Sequence, residues 1–228
     1  MRNVIIVLVL LMATPVMAQE AGRIVVSGRG VVETVPDMAT ISMGVVSEAK
    51  TAGDALAKNT DALAAVLKQL AEAGIESRDI QTNNLSLSPR WNNGGSMSKA
   101  APEIRGFIAN NTVSVRVRDL AQLGVVLDAV VQNGANSFHG LSFGLQDMEP
   151  AQNEARVAAI KDAMAKAQLY ATAAGVELGD VVSISDGAVR SVGPVMMEAD
   201  MMRSMAVPVA KGELSVTADV TVVFGIAD

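Results

Sequence analysis

The chain has 228 residues, with 18 Lys and Arg against 24 Asp and Glu, one His, one Trp and no Cys. Without Cys there is no disulfide framework, thiolate zinc site or cysteine nucleophile, a lone His excludes a relay between two imidazoles, and a net charge of −6 argues against a nucleic-acid surface. Half of the residues are hydrophobic but only 3% are aromatic, so the chain is a folder rather than a disordered segment, with a core of Val, Leu, Ile, Met and Ala.

In chain order, residues 1–18 read as a secretory signal peptide. Arg2 supplies the positive charge, Val4 to Met12 is a run of nine apolar residues, Pro15 breaks the helix, and Val16-Met17-Ala18 offers modest side chains at the cleavage positions. The run is too short to cross a bilayer, and no Cys follows it for lipid attachment. Cleavage is expected after Ala18, leaving 210 residues with net charge −7. No later apolar run reaches the ~20 residues of a membrane helix, so the expected product is exported and has no membrane span. A chain of this size buries roughly 70% of its unfolded surface and folds without staples.

The first strand signal covers 23–34. There Ile24, Val26 and Val32 hold one parity while Val25, Val31 and Val35 hold the other, so both faces seek cover. A two-layer α+β unit covers one face of its sheet. The second cover is expected from another copy, which makes Val25, Val31 and Val35 interface candidates and the chain a homo-oligomer. Ile41, Met43 and Val45 then alternate with polar or small residues as a half-buried strand. A helix follows from Thr51, paired with Asp54 in a capping-box-like way, with Leu56, Leu63, Leu67 and Leu70 as its stripe and Gly74 as its stop. Strand signals at 80–88 and at Val113, Val115 and Val117 flank a long loop, Pro89 to Pro102.

A second helix starts at Asp119, with Gln122 three residues later. It is expected to bury Leu120, Leu123, Leu127 and either Val130 or Val131, and it ends at Gly134. After a strand at 137–146, a third helix opens with Pro150 in its first turn, carries Val157, Ile160, Met164, Ala167 and Ala171, and stops at Gly175. Asp162 and Lys166 can pair on its wet face. A strand at 180–186, a long loop from Gly187 to Lys211 and the alternating strand Leu214 to Phe224 complete the chain.

The order is therefore β, β, α, β, β, α, β, α, β, β. Ala73-Gly74-Ile75-Glu76-x-x-Asp79-Ile80 is echoed 101 residues later by Ala174-Gly175-Val176-Glu177-x-x-Asp180-Val181, which predicts two β-α-β-β units with a helix between them. Residues 38–147 spell the split-βαβ, ferredoxin-like order. The remainder, 19–37 plus 148–228, forms a second and discontinuous α+β unit. The fold class is α+β, with mixed or antiparallel sheets and helices on one face, and with the two ends of the chain side by side in one sheet.

The opening Ile24-Val25-Val26-x-Gly28-x-Gly30 and Pro36-Asp37-x-Ala39-x-Ile41 resemble the start of SIMPL-domain proteins. So do Asp79-Ile80-Gln81-Thr82 running to Leu85-x-Leu87-x-Pro89, Asn111-Thr112-Val113 running to Asp119-Leu120, and Glu154-Ala155-Arg156 with Ala165-Lys166-Ala167. No one of these motifs is specific; the series, in order over nearly the whole mature chain, is. The resemblance is to bacterial periplasmic members described as immunogenic or oxidative-stress defence proteins. It implies an α+β fold, a periplasmic address and, for some members, ring-like homo-oligomers. It implies no catalytic residues.

Motifs with catalytic connotations fail on their context. Gly140-Leu141-Ser142-Phe143-Gly144 matches the nucleophile elbow, but that elbow needs a strand-turn-helix and a later His. Here Ser142 falls inside an alternating strand, and His139, the one His, precedes it. Gly28-x-Gly30 starts like a dinucleotide fingerprint, yet the next position is Glu33 and the chain continues as strand. Close strand packing or a bulge explains these glycines better. His139 shares parity with Leu141 and Phe143 and is expected to be a satisfied strand-end residue.

Met196, Met197, Met201, Met202 and Met205 place five thioethers within ten residues, and soft sulfur suits Cu(I). An adaptable packing loop is the simpler reading of that cluster. The sequence thus points to a non-enzymatic exported protein that self-assembles. It calls for no cofactor and no nucleic acid and leaves any small-molecule ligand open. The alternatives are a Met-rich Cu(I)-binding or oxidant-scavenging protein and, remotely, a serine hydrolase.

Overall fold

The computed structural model describes residues 22–92, 103–187, 189–195 and 210–227. The elements are β1 (Arg23–Thr34), β2 (Met38–Ala49), α1 (Ala52–Glu72), β3 (Ile80–Asn92), β4 (Glu103–Val117), α2 (Leu123–Gln132), β5 (Ser137–Gly144), α3 (Glu149–Ala174), β6 (Glu177–Asp186), β7 (Arg190–Val195) and β8 (Glu213–Ala227). The expected order holds with one addition. β7 lies within the segment read as a long loop, and it pairs antiparallel with the first half of β8.

The strands form two antiparallel sheets. One runs β3-β4-β2-β5, the strand order of a split-βαβ fold. Its inner face carries Ile41, Met43 and Val45 of β2 against Val113, Val115 and Val117 of β4, all buried beneath α1 and α2. The other sheet has β8 at its centre, with β1 along one side and β6 and then β7 end to end along the other. Arg23 sits opposite Gly225 and Thr34 opposite Leu214, so the two ends of the chain share this sheet. The period-2 pattern of β8 puts Leu214, Val216, Ala218, Val220, Val222 and Phe224 inward beneath α3.

The helix faces differ from the sequence reading in three places. In α1 the buried line is Ala55, Asn59, Leu63, Val66 and Leu70; Leu67 is half-buried and Leu56 exposed. A polar residue, Asn59, lies within the buried stripe, and the face keeps Leu63 and Leu70 but turns away from Leu56 and Leu67. Asn59 earns its place by donating Nδ2 to the carbonyls of Val45 at 2.7 Å and Ala109 at 3.1 Å. In α2, Leu123 and Leu127 are buried as read and Val130 is the inward one of the two valines, but Val126 joins the face and Leu120 falls in a preceding 3-10 turn, half-buried.

In α3 the buried residues are Ala151, Ala155, Ala159, Ala163, Ala167 and Ala171, while Val157 and Met164 face solvent. The cause lies on β1. A Cβ added at Gly28 would stand 2.0 Å from the Ala159 carbonyl oxygen, and one at Gly30 would stand 2.0 Å from that of Ala155. With no side chain on the strand, the helix backbone rests almost directly on it, and only the small alanines of α3 fit the contact. The β1–β8 register is unbroken, so Gly28 and Gly30 serve close packing and not a bulge.

Candidate functional surfaces

The outer face of the β1–β8 sheet lies opposite α3. Residues of odd number on β1 point there, and Val25 and Val31 are 60% and 50% exposed; Val35, just past the strand, is 62% exposed. Val25 stands opposite Val223 and Val31 opposite Thr217. Between the two valines, Arg29 donates Nε to Asp219 Oδ1 at 2.9 Å. This pairing raises the guanidinium above its ordinary value, through the hydrogen bond and then the charge of Asp219. Val25 and Val31 therefore share one side of β1, and all three interface candidates, Val35 included, are exposed among the described residues.

The same strand is clamped to α3 from its edge. Asp162 Oδ2 accepts from Lys166 Nζ at 2.6 Å and from the backbone N–H of Arg29 at 2.8 Å. Lys166 also donates to the Ser27 carbonyl at 3.1 Å. The Asp162 carboxyl is held below its usual range, first by Lys166 and then by that backbone N–H. The Asp162–Lys166 pair expected on a wet face is thus a tie between layers.

A second polar cluster was not anticipated from the sequence. A 3-10 turn, Ser77–Asp79, follows α1 and delivers Asp79 against the end of β4. Arg118 grips the carboxylate with two bonds, Nε to Oδ2 and Nη2 to Oδ1, both 2.7 Å. Arg116 Nε lies 3.3 Å from the same Oδ1. The Asp79 side chain is 3% exposed, so the Arg118 fork pulls its carboxyl below the usual range while burial pulls the other way. The Arg118 guanidinium is raised in return by its bond to Asp79. Gln146 ties this end of the sheet together, donating Nε2 to the carbonyls of Asp37 and Arg118 and its backbone N–H to Asp37 Oδ1 at 2.7 Å. The available sequence signal was Arg116-x-Arg118, two cations of one parity on a strand otherwise read for its valines. Asp180, the counterpart of Asp79 in the echoed segment, is exposed.

Ser142 sits within β5, opposite Thr40 of β2, as its alternating context required. His139 lies near the start of β5 with polar partners, as read, but without the parity it shares with Leu141 in the sequence. The β2–β5 register shifts between Ser42 and Met43, and this bulge breaks the parity that seemed to align His139 with Leu141. Its Nε2 lies 3.1 Å from Ser137 Oγ and 3.4 Å from Thr112 Oγ1, so its partners are hydroxyls and not Ser142. Met196, Met197, Met201, Met202 and Met205 lie outside the described residues, as do the signal segment and Ala18. Among the described residues, no group of three or more His, Cys, Asp or Glu is placed to hold a metal ion, and no helix is long and apolar enough to cross a membrane.

Comparison with known proteins agrees with this architecture in extent. Residues 24–224 match the SIMPL family model, described as a protein of unknown function (DUF541). The chain is 37% identical over 218 residues to a 26 kDa periplasmic immunogenic protein of Brucella melitensis, covering 92% of this chain and 87% of that one. It shares the same identity and coverage with the protein of that name in Brucella abortus. It is 31% identical over 219 residues to the uncharacterized protein YggE of Escherichia coli, covering 93% of this chain and 87% of that one.

Proposed function

The chain belongs to the SIMPL family, and on that premise we propose that it is a non-enzymatic periplasmic protein that self-assembles and supports tolerance of envelope and oxidative stress. The periplasmic address is supported by the names of the Brucella relatives and by the signal-like residues 1–18. The stress role is carried over from the family resemblance. The observation that carries assembly is the bare outer face of β1, where Val25, Val31 and Val35 stay exposed although the inner face is sealed by α3. A sheet face bearing several half-exposed valines around one ion pair suits a second copy better than bulk water.

Light scattering on the mature protein at micromolar concentration tests this. An oligomer that dissociates in the Val25→Asp, Val31→Asp double variant is expected. A monodisperse wild-type monomer refutes assembly, and an oligomer unaffected by the folded double variant moves the interface elsewhere. The second reading, Cu(I) binding by the Met196–Met205 segment, is favoured by its five thioethers. Titration with Cu(I) against a competing chelator decides it: stoichiometric binding lost when the five Met become Leu supports that reading, and no binding removes it.

A further inference from the structure

The outer face of the β3-β4-β2-β5 sheet carries a polar cleft that the assembly reading does not use. Thr40 of β2 pairs with Arg116 of β4, and Gln81 of β3 pairs with Ser114 of β4. These side chains alternate with the buried Ile41 and Val115 and the half-buried Ile80, so they project together away from the helices. With Arg78 from the preceding turn they line a concavity of about 220 Å³ with Asp79 in its wall.

The charges in this cleft do not balance. Glu76 Oε1 accepts from Arg78 Nη2 at 3.0 Å, and Glu76 Oε2 lies 2.9 Å from Arg78 Nε, so these two groups offset one another. Asp79 is matched by the fork from Arg118. Asp119, which lines the adjoining hollow, accepts from the Ala121 N–H and the Gln122 amide, so within the cleft lining Arg78 and Arg116 stand against the one carboxylate of Asp79, and Arg116 has no carboxylate of its own. Its Nη2 is held by the Arg78 carbonyl at 3.0 Å and its Nε by Asp79, so the group is fixed in place while 47% of its side chain remains exposed. Apart from Asp79, each side chain lining the cleft offers at least one N–H or O–H donor. These donors come from β2, β3, β4 and the turn, hence from several directions.

We propose that this cleft binds a tetrahedral oxyanion of the phosphate class, with Arg116 as its principal charge and Arg78, Thr40, Ser114 and Gln81 completing the donor set. A surplus, positioned guanidinium among neutral donors is what such an anion requires. A planar carboxylate has two oxygens in one plane and leaves part of a donor set arranged around it unused. The anion belongs either to a soluble phosphate or to a membrane phospholipid headgroup, since the chemistry presented to the cleft is the same.

The experiment is calorimetric titration of the mature protein with inorganic phosphate at constant ionic strength, with acetate as comparison. Saturable phosphate binding is expected, weakened about tenfold or more by Arg116→Gln, because a charge-assisted bond is lost, and weakened less by Thr40→Val. Circular dichroism checks that Arg116→Gln folds; if it does not, Thr40→Val and Ser114→Val carry the comparison. A parallel arm measures sedimentation with phosphatidylcholine vesicles with and without phosphatidate. Binding to free phosphate alone assigns a soluble anion, and binding to phosphatidate vesicles that falls with Arg116→Gln assigns a headgroup. Binding to neither probe overturns the proposal. So does affinity unchanged in the cleft variants, or acetate bound as tightly as phosphate.

Discussion

One methyl group added at Gly28 probes one of the two close approaches of β1 to α3. The new Cβ would meet the Ala159 carbonyl oxygen at 2.0 Å and the Ala163 Cβ and N at 2.8 Å. A Cβ does not approach another heavy atom closer than 3.0 Å, so strand and helix must part by at least 1 Å. The obstacle is backbone on both sides, and no rotamer change relieves it. A separation of that size forfeits about a quarter to a half of each van der Waals contact along the seam. The seam holds Ala151, Ala155, Ala159, Ala163 and Ala167 against Val26 and the inner residues of β8. Overpacking typically destabilises by about 1–3 kcal/mol, and a clash between main chains places Gly28→Ala at or above about 3 kcal/mol. Gly53, in the first turn of α1, is the control: a Cβ there meets nothing within 4 Å, and Gly53→Ala is expected to be neutral or to stabilise by up to about 1 kcal/mol. Urea unfolding followed by far-ultraviolet circular dichroism measures both. A loss below about 0.5 kcal/mol for Gly28→Ala, with an unchanged m-value, would refute the close-packing argument.

Leu127 is buried whereas Leu67 is half-buried; Leu127→Ala should lose about 2–5 kcal/mol and Leu67→Ala distinctly less in the same urea assay. Asn59→Ala strips the Val45 and Ala109 carbonyls of their shared donor, and a loss of about 1–3 kcal/mol per buried unpaired group is expected; unchanged stability would mean that water replaces the amide. Asp79 has its carboxyl lowered by Arg118, so its stabilisation is complete above the unfolded value near ~3.9 and disappears as pH falls through the lower folded value. Urea midpoints should therefore drop below about pH 4, and Asp79→Asn, already weaker at neutral pH, should show a shallower fall; parallel pH profiles would remove Asp79 as the cause.

The strands were legible because each one-faced strand writes its burial in alternation. Ile41, Met43 and Val45, and Leu214 through Phe224, needed no tertiary information to be placed inside. Helix ends were legible for the same local reason: Thr51 Oγ1 accepts from the Asp54 N–H at 3.1 Å, and Gly175 takes the left-handed φ of 72° that ends α3. The α+β class and the ferredoxin-like strand order followed from the sequence of elements, since short right-handed connections leave few ways to pair them.

The helix faces and the site were decided only in three dimensions. The alanine face of α3 has no apolar contrast with its surroundings; it is inside because Gly28 and Gly30 lie on a strand that α3 meets more than a hundred residues later in the chain. Asn59 looks solvent-facing until the two strand carbonyls it serves are in place. His139 kept its parity in the sequence and lost it to a single bulge in β5. The Asp79 cluster joins a turn after α1 to the end of β4, 37 and 39 residues away from Arg116 and Arg118. Local patterns report how a residue relates to its own element, and burial and charge pairing depend on which other element arrives beside it.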